Sequence, residues 1–320
     1  MMKEIKANEL KANEFINEQV AEIKDQVGSG LAINALSGGV DSSVVTMLGY
    51  RALGDKLLTC FIDNGLMREK ESEEVVATFR ELGVAVKLID AQKEFFAALE
   101  DVFDPQEKRE AITQTFYKKV FGRLVQDSGA KHLLQGTILT DIDETVAGIK
   151  RQHNVFAQLG IDPEEAFGYE IIEPLVSLRK DGVRLVAEAL GLPEAIYNRQ
   201  PFPGPALATR VTGSVTREKI ELIRKATAIT EAALEPFDYF QSMTILHQDR
   251  VTGIVNNERR FGHVIQIRCW DSIDARTATP KKLPLEVLFE LGRRIPAEIP
   301  GVMQVTYNLT AKPPVTMEAI

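Results

Sequence analysis

Leu31 to Ser43 reads LAINALSGGVDSS, an apolar run that meets a Ser-Gly-Gly turn and then the polar opening of a second apolar segment with Val44, Val45, Met47 and Leu48. The first run is short and continuously apolar, which predicts a buried strand, and the spacing after Ser43 predicts a helix. Gly38 and Gly39 have no Cβ, so the backbone can turn sharply here and present successive N–H groups outward. Asp41, Ser42 and Ser43 open a helix whose unpaired N–H groups and dipole point at the same place. These features suit phosphate or pyrophosphate, and the expected ligand is a nucleotide. A lysine-bearing Walker loop is excluded, because no Gly-Lys-Ser or Gly-Lys-Thr tripeptide follows.

Outward from the loop the pattern alternates. Residues Glu4 to Val27 carry Phe15, Ile16, Val20, Ile23 and Val27 at helical spacing. Leu57 to Asp63 (LLTCFID) predicts a strand, Glu71 to Leu82 a helix, and Val84 to Asp90 another strand. Helix resumes at Phe95 to Leu99, a long amphipathic helix starts at Pro105 and runs to Asp127, and His132 to Thr137 predicts a fourth strand. Such alternation predicts an α/β fold with a doubly wound parallel sheet, whose ligands bind beyond the carboxyl ends of the strands. That rim gathers the loop Ser37 to Ser43, Asp63 with Asn64 and Gly65, Asp90, and Gly136 with Thr137. An aspartate after a strand is also a common N-cap or turn residue, and that alternative applies to Asp63 and Asp90.

Past Arg210 the order changes to a helix at Thr216 to Leu234, strands near Phe240 to His247, Gly262 to Trp270 and Val302 to Leu309, and a helix at Leu285 to Ile295. This predicts a second, smaller α+β domain over residues 201–320, after a first domain over 1–200. PFPGP (Pro201 to Pro205) is the stiff boundary between them.

The 320 residues are 44% hydrophobic and 26% charged, with a net charge of −8, which argues against a broad nucleic-acid surface. No apolar run is long enough to span a membrane, and MMKEIKANELKANEF lacks the apolar centre of a signal peptide, so a cytoplasmic protein is expected. Cys60 and Cys269 form no CxxC pair and read as core thiols, and His132, His247 and His263 show no metal spacing.

SGGVDSS resembles the signature of the pyrophosphate-loop ATPases, which transfer AMP from ATP to a substrate oxygen and release pyrophosphate. From Gln135, QGTILTDIDET resembles the QGTIxPDxIES segment of the GMP synthetases. GIKRQHNV resembles their KIKSHHNV, IEPLVSLRKDGVR their VEPLRxLxKDEVR, PFPGPALATR their PFPGPGLAIR, and KPPVTMEAI their KPPATIEWE. The resemblance runs from about Phe15 to the end of the chain, in family order. It implies an adenine nucleotide alpha hydrolase-like sheet, and a C-terminal domain that forms a homodimer and helps close the nucleotide site with its tail.

The reaction implied is adenylation of the C2 oxygen of xanthosine monophosphate (XMP), followed by attack of ammonia to give GMP and AMP. ATP and Mg²⁺ are the implied cofactors. The loop residues Ser37, Gly38, Gly39, Val40, Asp41, Ser42 and Ser43 would hold pyrophosphate, with Asp63, Gly136 and Thr137 nearby. Asp41 and Lys180 are the catalytic candidates, Lys180 by its match to the lysine of KDEVR; a solvated helix face is its alternative. Asp141 and Glu144 are the Mg²⁺ candidates, a capping pair being theirs. The resemblance assigns Lys150, His153, Asn154, Pro203, Gly204, Arg210, Lys312, Pro313, Thr316 and Glu318 to the acceptor nucleotide; His153 also reads as a structural histidine.

Neither cysteine sits in a Gly-x-Cys-x-Gly elbow, so ammonia is expected from a separate glutamine amidotransferase subunit or from solution. NAD synthetases share the loop but not the PFPGP or KPP segments. The chain departs from the family pattern at Thr140, Arg151, Gln152, Phe156 to Leu159, Gly182, Ala206, Thr209, Ala319 and Ile320. Those departures keep two other readings open: a similar ligase for a different acceptor, and a catalytically silent nucleotide-binding paralogue.

Overall fold

The computed structural model describes residues 4–146, 169–200, 202–273 and 276–318. The chain divides into two compact units, neither of them continuous. The first comprises Met1–Asp63, Ser72–Asp90 and Thr113–Arg199, and the second Asn64–Glu71, Ala91–Ile112 and Gln200–Ile320. The boundary at about residue 200 expected from the sequence is one of several points where the chain changes unit. Among the described residues no helix is long and apolar enough to cross a membrane.

The first unit holds strands β1 (Ala32–Ala35), β2 (Leu57–Asp63), β3 (Val86–Asp90), β4 (His132–Leu134) and β5 (Glu170–Ile172). Every neighbouring pair is parallel, and the order is β3-β2-β1-β4-β5. The chain therefore winds outward from β1 to β3 and then returns to the other side of β1. The direction reverses between β1 and β4, and beyond the carboxyl ends of that pair lies the crevice where doubly wound sheets take ligands. Ala32 and Ile33 of β1 are buried, as a central parallel strand covered by helices requires. Ile23 of the Ala12–Val27 helix and Val44 and Leu48 of the Val40–Leu53 helix are fully buried.

Four elements differ from expectation. Residues 4–11 are not helical: Ile5 forms an isolated parallel bridge with Leu178, its amide donating to the Ser177 carbonyl (2.9 Å), so tertiary pairing outcompetes the start of the helix. The long helix from Pro105 is broken into Pro105–Gln114, a π turn Thr115–Phe121 and Gly122–Ser128. The wider turn accommodates an extra residue and carries Val120 and Phe121 to buried positions. β4 ends at Leu134, short of Thr137: the Gln135 amide still donates to the Ile172 carbonyl of β5 (2.9 Å), and Gly136 then lies against the helix start at Asp41 and Ser42. β5, only three residues long, had no sequence signal of its own.

The second unit is α+β. β6 (Gln241–Val255) and β7 (Glu258–Asp271) form a long antiparallel hairpin turned by Asn256 and Asn257, both at positive φ, as a two-residue hairpin turn demands. β8 (Thr279–Pro280) pairs antiparallel and β9 (Val302–Tyr307) parallel with β7, which makes β7 the central strand. The Arg217–Leu234 helix is capped by Thr216, whose side chain accepts from the Lys219 amide (3.2 Å), and buries Ile220, Ile223, Ala226 and Leu234. The earlier segments are built into this unit. Arg68 pairs with Glu231 at 3.0 Å, and the buried Lys108 Nζ donates to the Val211 carbonyl at 2.8 Å.

Candidate active site

The loop after β1 owes its shape to glycine and to its own serines. Gly38 has φ +78, a left-handed conformation, and a Cβ there would meet Val75 Cγ2 at 2.8 Å and Arg199 Nη1 at 3.2 Å. Arg199 Nη1 donates to the Gly38 carbonyl (3.0 Å). The Ser37 and Ser42 hydroxyls lie 2.9 Å apart, the Ser37 amide donates to Ser42 Oγ (3.2 Å), and Ser42 Oγ donates to the Gly39 carbonyl (3.0 Å). The Gly39 amide donates to Ser37 Oγ at 3.3 Å. Ser37, Ser42 and the Gly39 amide thus hold the loop to itself.

The Val40–Leu53 helix takes Gly39 as its N-cap without a side-chain cap, and the Ser43 amide donates to the Gly39 carbonyl (3.0 Å). The Val40, Asp41 and Ser42 amides therefore precede the intrahelical ladder, at the positive end of the dipole. Ser43 is fully buried, and its hydroxyl has no hydrogen-bond partner among the described residues. Lys180 opens the Lys180–Ala189 helix, and its Nζ lies 2.6 Å from Asp41 Oδ2. Asp41 Oδ1 is buried with no hydrogen-bond partner among the described residues.

A buried polar chain runs under this helix. Thr59 Oγ1 of β2 donates to Asn34 Oδ1 of β1 (2.8 Å), Asn34 Nδ2 donates to Thr46 Oγ1 (2.7 Å), and Thr46 Oγ1 donates to the Ser42 carbonyl (2.7 Å). It ties two strands to the first turn of the helix, and no motif in the sequence announced it.

From β4, Gly136 comes close to the helix start: a Cβ on it would lie 3.2 Å from both Asp41 C and Ser42 N. Thr137 is buried and donates to Glu173. Asp63 and Asp90 end their strands in direct register. Asp141 is buried, and its Oδ2 accepts from the Ile138 amide (3.1 Å), so the capping role is realised. Burial, with Asp141 nearby, pushes the Tyr117 phenol up to about 12. Glu144 belongs to the Leu139–Val146 helix; its side chain, like all of Lys150, His153 and Asn154, lies outside the described residues.

The arrangement fits a nucleotide with its cation. Three amides ahead of the helix's hydrogen-bond ladder, a lysine and a left-handed glycine suit a polyphosphate. Among the described residues no three His, Cys, Asp or Glu side chains converge. Mg²⁺ on a nucleotide asks for less, one or two carboxylates plus phosphate oxygens, and Asp41 Oδ1, buried without a partner among the described residues, is an acidic oxygen of that kind.

The remaining expected residues are in the second unit. The Pro203 carbonyl accepts from the Ala206 amide (2.9 Å), and Gly204 lies in that turn. Ala206 sits at φ +53, where the family pattern has glycine. Arg210 is 1% exposed, stacks on the Phe202 ring at 4.8 Å and lies 3.8 Å from Glu318; burial holds its guanidinium below the usual arginine range. The Lys312 amide and carbonyl pair with Ala278 (2.8 and 3.0 Å), and Pro313 follows in the same turn. Thr316 and Glu318 line a cavity of about 470 Å³ with Asp104, Pro105, Gln106 and Arg109. Arg109 carried no sequence signal; only the fold brings PQEKRE to the tail.

Residues 10–121 match the family model described as NAD synthase, and residues 229–319 that described as GMP synthase C terminal domain. The chain is 45% identical over 304 residues to a subunit of the glutamine-hydrolyzing GMP synthase of Archaeoglobus fulgidus, covering 95% of this chain and 98% of the relative. The corresponding subunit from Pyrococcus furiosus is 46% identical over 95% of this chain and 96% of its own length. That from Methanothermobacter thermautotrophicus is 44% identical over 97% and 99%.

Proposed function

This chain belongs to the family of those GMP synthase subunits, and we propose that it is the ATP-pyrophosphatase subunit of such an enzyme. It adenylates XMP at the C2 oxygen and exchanges that oxygen for ammonia, giving GMP, AMP and pyrophosphate. The observation that carries the reading is its 45% identity, over 95% of the chain, to a relative that is a subunit of glutamine-hydrolyzing GMP synthase.

The chemical task is to make an oxygen leave, and pyrophosphate departs with several negative charges. The Val40, Asp41 and Ser42 amides and the dipole of their helix receive that charge. Lys180 adds a cation, and its contact with Asp41 aims it toward the loop. Bound Mg²⁺ supplies further positive charge to the phosphate oxygens, with Asp141 and Glu144 as its proposed carboxylates and Asp41 alongside. Asp63, Gly136 and Thr137 border the ATP site. The acceptor takes Lys150, His153, Asn154, Pro203, Gly204, Arg210, Lys312, Pro313, Thr316 and Glu318, and the cavity beside Thr316 and Glu318 adds Arg109 as a partner for its phosphate.

Ammonia comes from a separate glutamine amidotransferase subunit. Both cysteines support this division: burial raises the Cys60 thiol and pushes Cys269 up to about 12, so neither is a thiolate nucleophile near neutral pH. A homodimer through the 201–320 domain would cover the exposed Ile254, Phe261, Leu285 and Phe289. The enzyme works in the cytoplasm. The test is ATP-dependent pyrophosphate release with XMP, ammonium and saturating Mg²⁺, with the product masses read alongside. GMP and AMP in equal amounts are expected. Measurable ATP binding without XMP-stimulated release would overturn the assignment of the acceptor.

A further inference from the structure

The tail that lines the cavity is held from behind by one side chain. Arg268, on the central strand β7, donates from Nη1 to the carbonyls of Thr316 (3.0 Å), Met317 (3.2 Å) and Glu318 (3.1 Å). Its Nε donates to Gln266 Oε1 (2.9 Å), two residues earlier on the same face of the strand, which sets the plane of the guanidinium. A charged donor shared among three successive carbonyls fixes the course of the backbone there far better than any one neutral bond. Met317 supplies the second fastening: it is buried with Met243, Trp270 and Ala278. Thr316 and Glu318, on either side of Met317, line the cavity with Arg109. Thr316 Oγ1 donates to the Glu318 carbonyl (2.7 Å), and Gln241 Nε2 donates to Glu318 Oε1 (3.3 Å), which orients that carboxylate.

We propose that Arg268 is a positioning residue for the acceptor nucleotide, holding the Thr316–Glu318 backbone so that both side chains enter the cavity. This rests on the reading that the tail contacts the acceptor. Arg268 touches no substrate; it acts through the tail. Lysine has a single ammonium on a flexible stem and cannot also be oriented by Gln266 through a second nitrogen, so Arg268→Lys restores only part of the function.

The full-length Arg268→Met and Arg268→Lys variants are compared with the parent by XMP binding, ATP binding and amide hydrogen exchange resolved by peptide. The expected result for Arg268→Met is an XMP Kd weakened tenfold or more and exchange of the 311–318 amides accelerated tenfold or more. ATP Kd and exchange in β1 and β2 stay unchanged, and the lysine variant lies between. Unaltered exchange of the tail would overturn the clasp. Faster tail exchange with unaltered XMP affinity would overturn the assignment of the tail to the acceptor. If Arg268→Met loosens the whole second unit, Gln266→Leu, which leaves the arginine but removes its guide, must still weaken XMP more than ATP; equal loss for both would refute the proposal.

Discussion

Replacing Asn34 by alanine tests whether the pyrophosphate loop depends on the polar chain beneath it. Asn34 is 1% exposed, accepts from Thr59 and donates to Thr46. The substitution removes two buried hydrogen bonds worth about 1 kcal/mol each and leaves the Thr59 hydroxyl without a partner at about 1–3 kcal/mol, so the first unit should lose about 3–5 kcal/mol. Hydrogen exchange of the β1 and β2 amides reads that unit's own opening, and protection should fall roughly 150- to 5,000-fold. A triple variant, Asn34→Val with Thr46→Val and Thr59→Val, replaces every partner by an apolar group of similar size. Its stability should return to within about 1 kcal/mol of the parent. Its Ser42 carbonyl still lacks the Thr46 hydroxyl, so KM for ATP should stay raised although the fold has recovered. Loss of less than about 0.5 kcal/mol in Asn34→Ala, or a parental KM for ATP in the triple variant, would refute the argument.

Gly38→Ala puts a Cβ where φ is +78 and 2.8 Å from Val75 Cγ2, so the loop must move. Steady-state kinetics should give a KM for ATP raised at least tenfold with XMP binding unchanged. Lys108 is fully buried, and burial, aided by repulsion from Lys219 and opposed by Asp104, lowers its pKa from 10.5 to about 8. Below pH 8 both folded and unfolded chains carry the proton and the fold bears the full cost; between about 8 and 10.5 the unfolded chain binds more protons, so stability rises with pH. Relative to Lys108→Met, the parent should therefore gain about 3 kcal/mol between pH 7 and pH 10.5 in urea unfolding, and parallel pH curves would contradict it.

Legibility from the sequence followed locality. The loop, the parallel sheet and the α+β character of the second unit are written in contiguous periodicity and in residues with special backbone freedom. β2 was readable to its ends, because six apolar or small residues run up to Asp63. β5 was not, since its three residues are a strand only because β4 lies beside them. Residues 4–11 look helical but are claimed by Leu178 and Arg179. The loop residues announced themselves as a motif, whereas Arg109, Arg199 and Arg268 are ordinary arginines until folding brings Thr316, the Gly38 carbonyl and the tail carbonyls to them. Asp141 could be read either way from sequence, and its bond to the Ile138 amide makes the capping half of that reading concrete.

The interleaving of the two units bears on how the chain is made. The polypeptide changes unit five times, after Asp63, Glu71, Asp90, Ile112 and Arg199. Residues 64–71 and 91–112 leave the ribosome early, but Glu231 for Arg68 and the Val211 carbonyl for Lys108 are synthesised more than a hundred residues later. Until then Lys108 lacks the carbonyl that receives it and Arg68 has only its near neighbour Glu71, so the second unit cannot complete its core as a nascent chain. Its closure is a late event that waits for the last third of translation. A gene fragment cut at residue 200 would encode a piece deprived of two of its own walls, and the same two segments, supplied in trans, would be the natural complement to restore it.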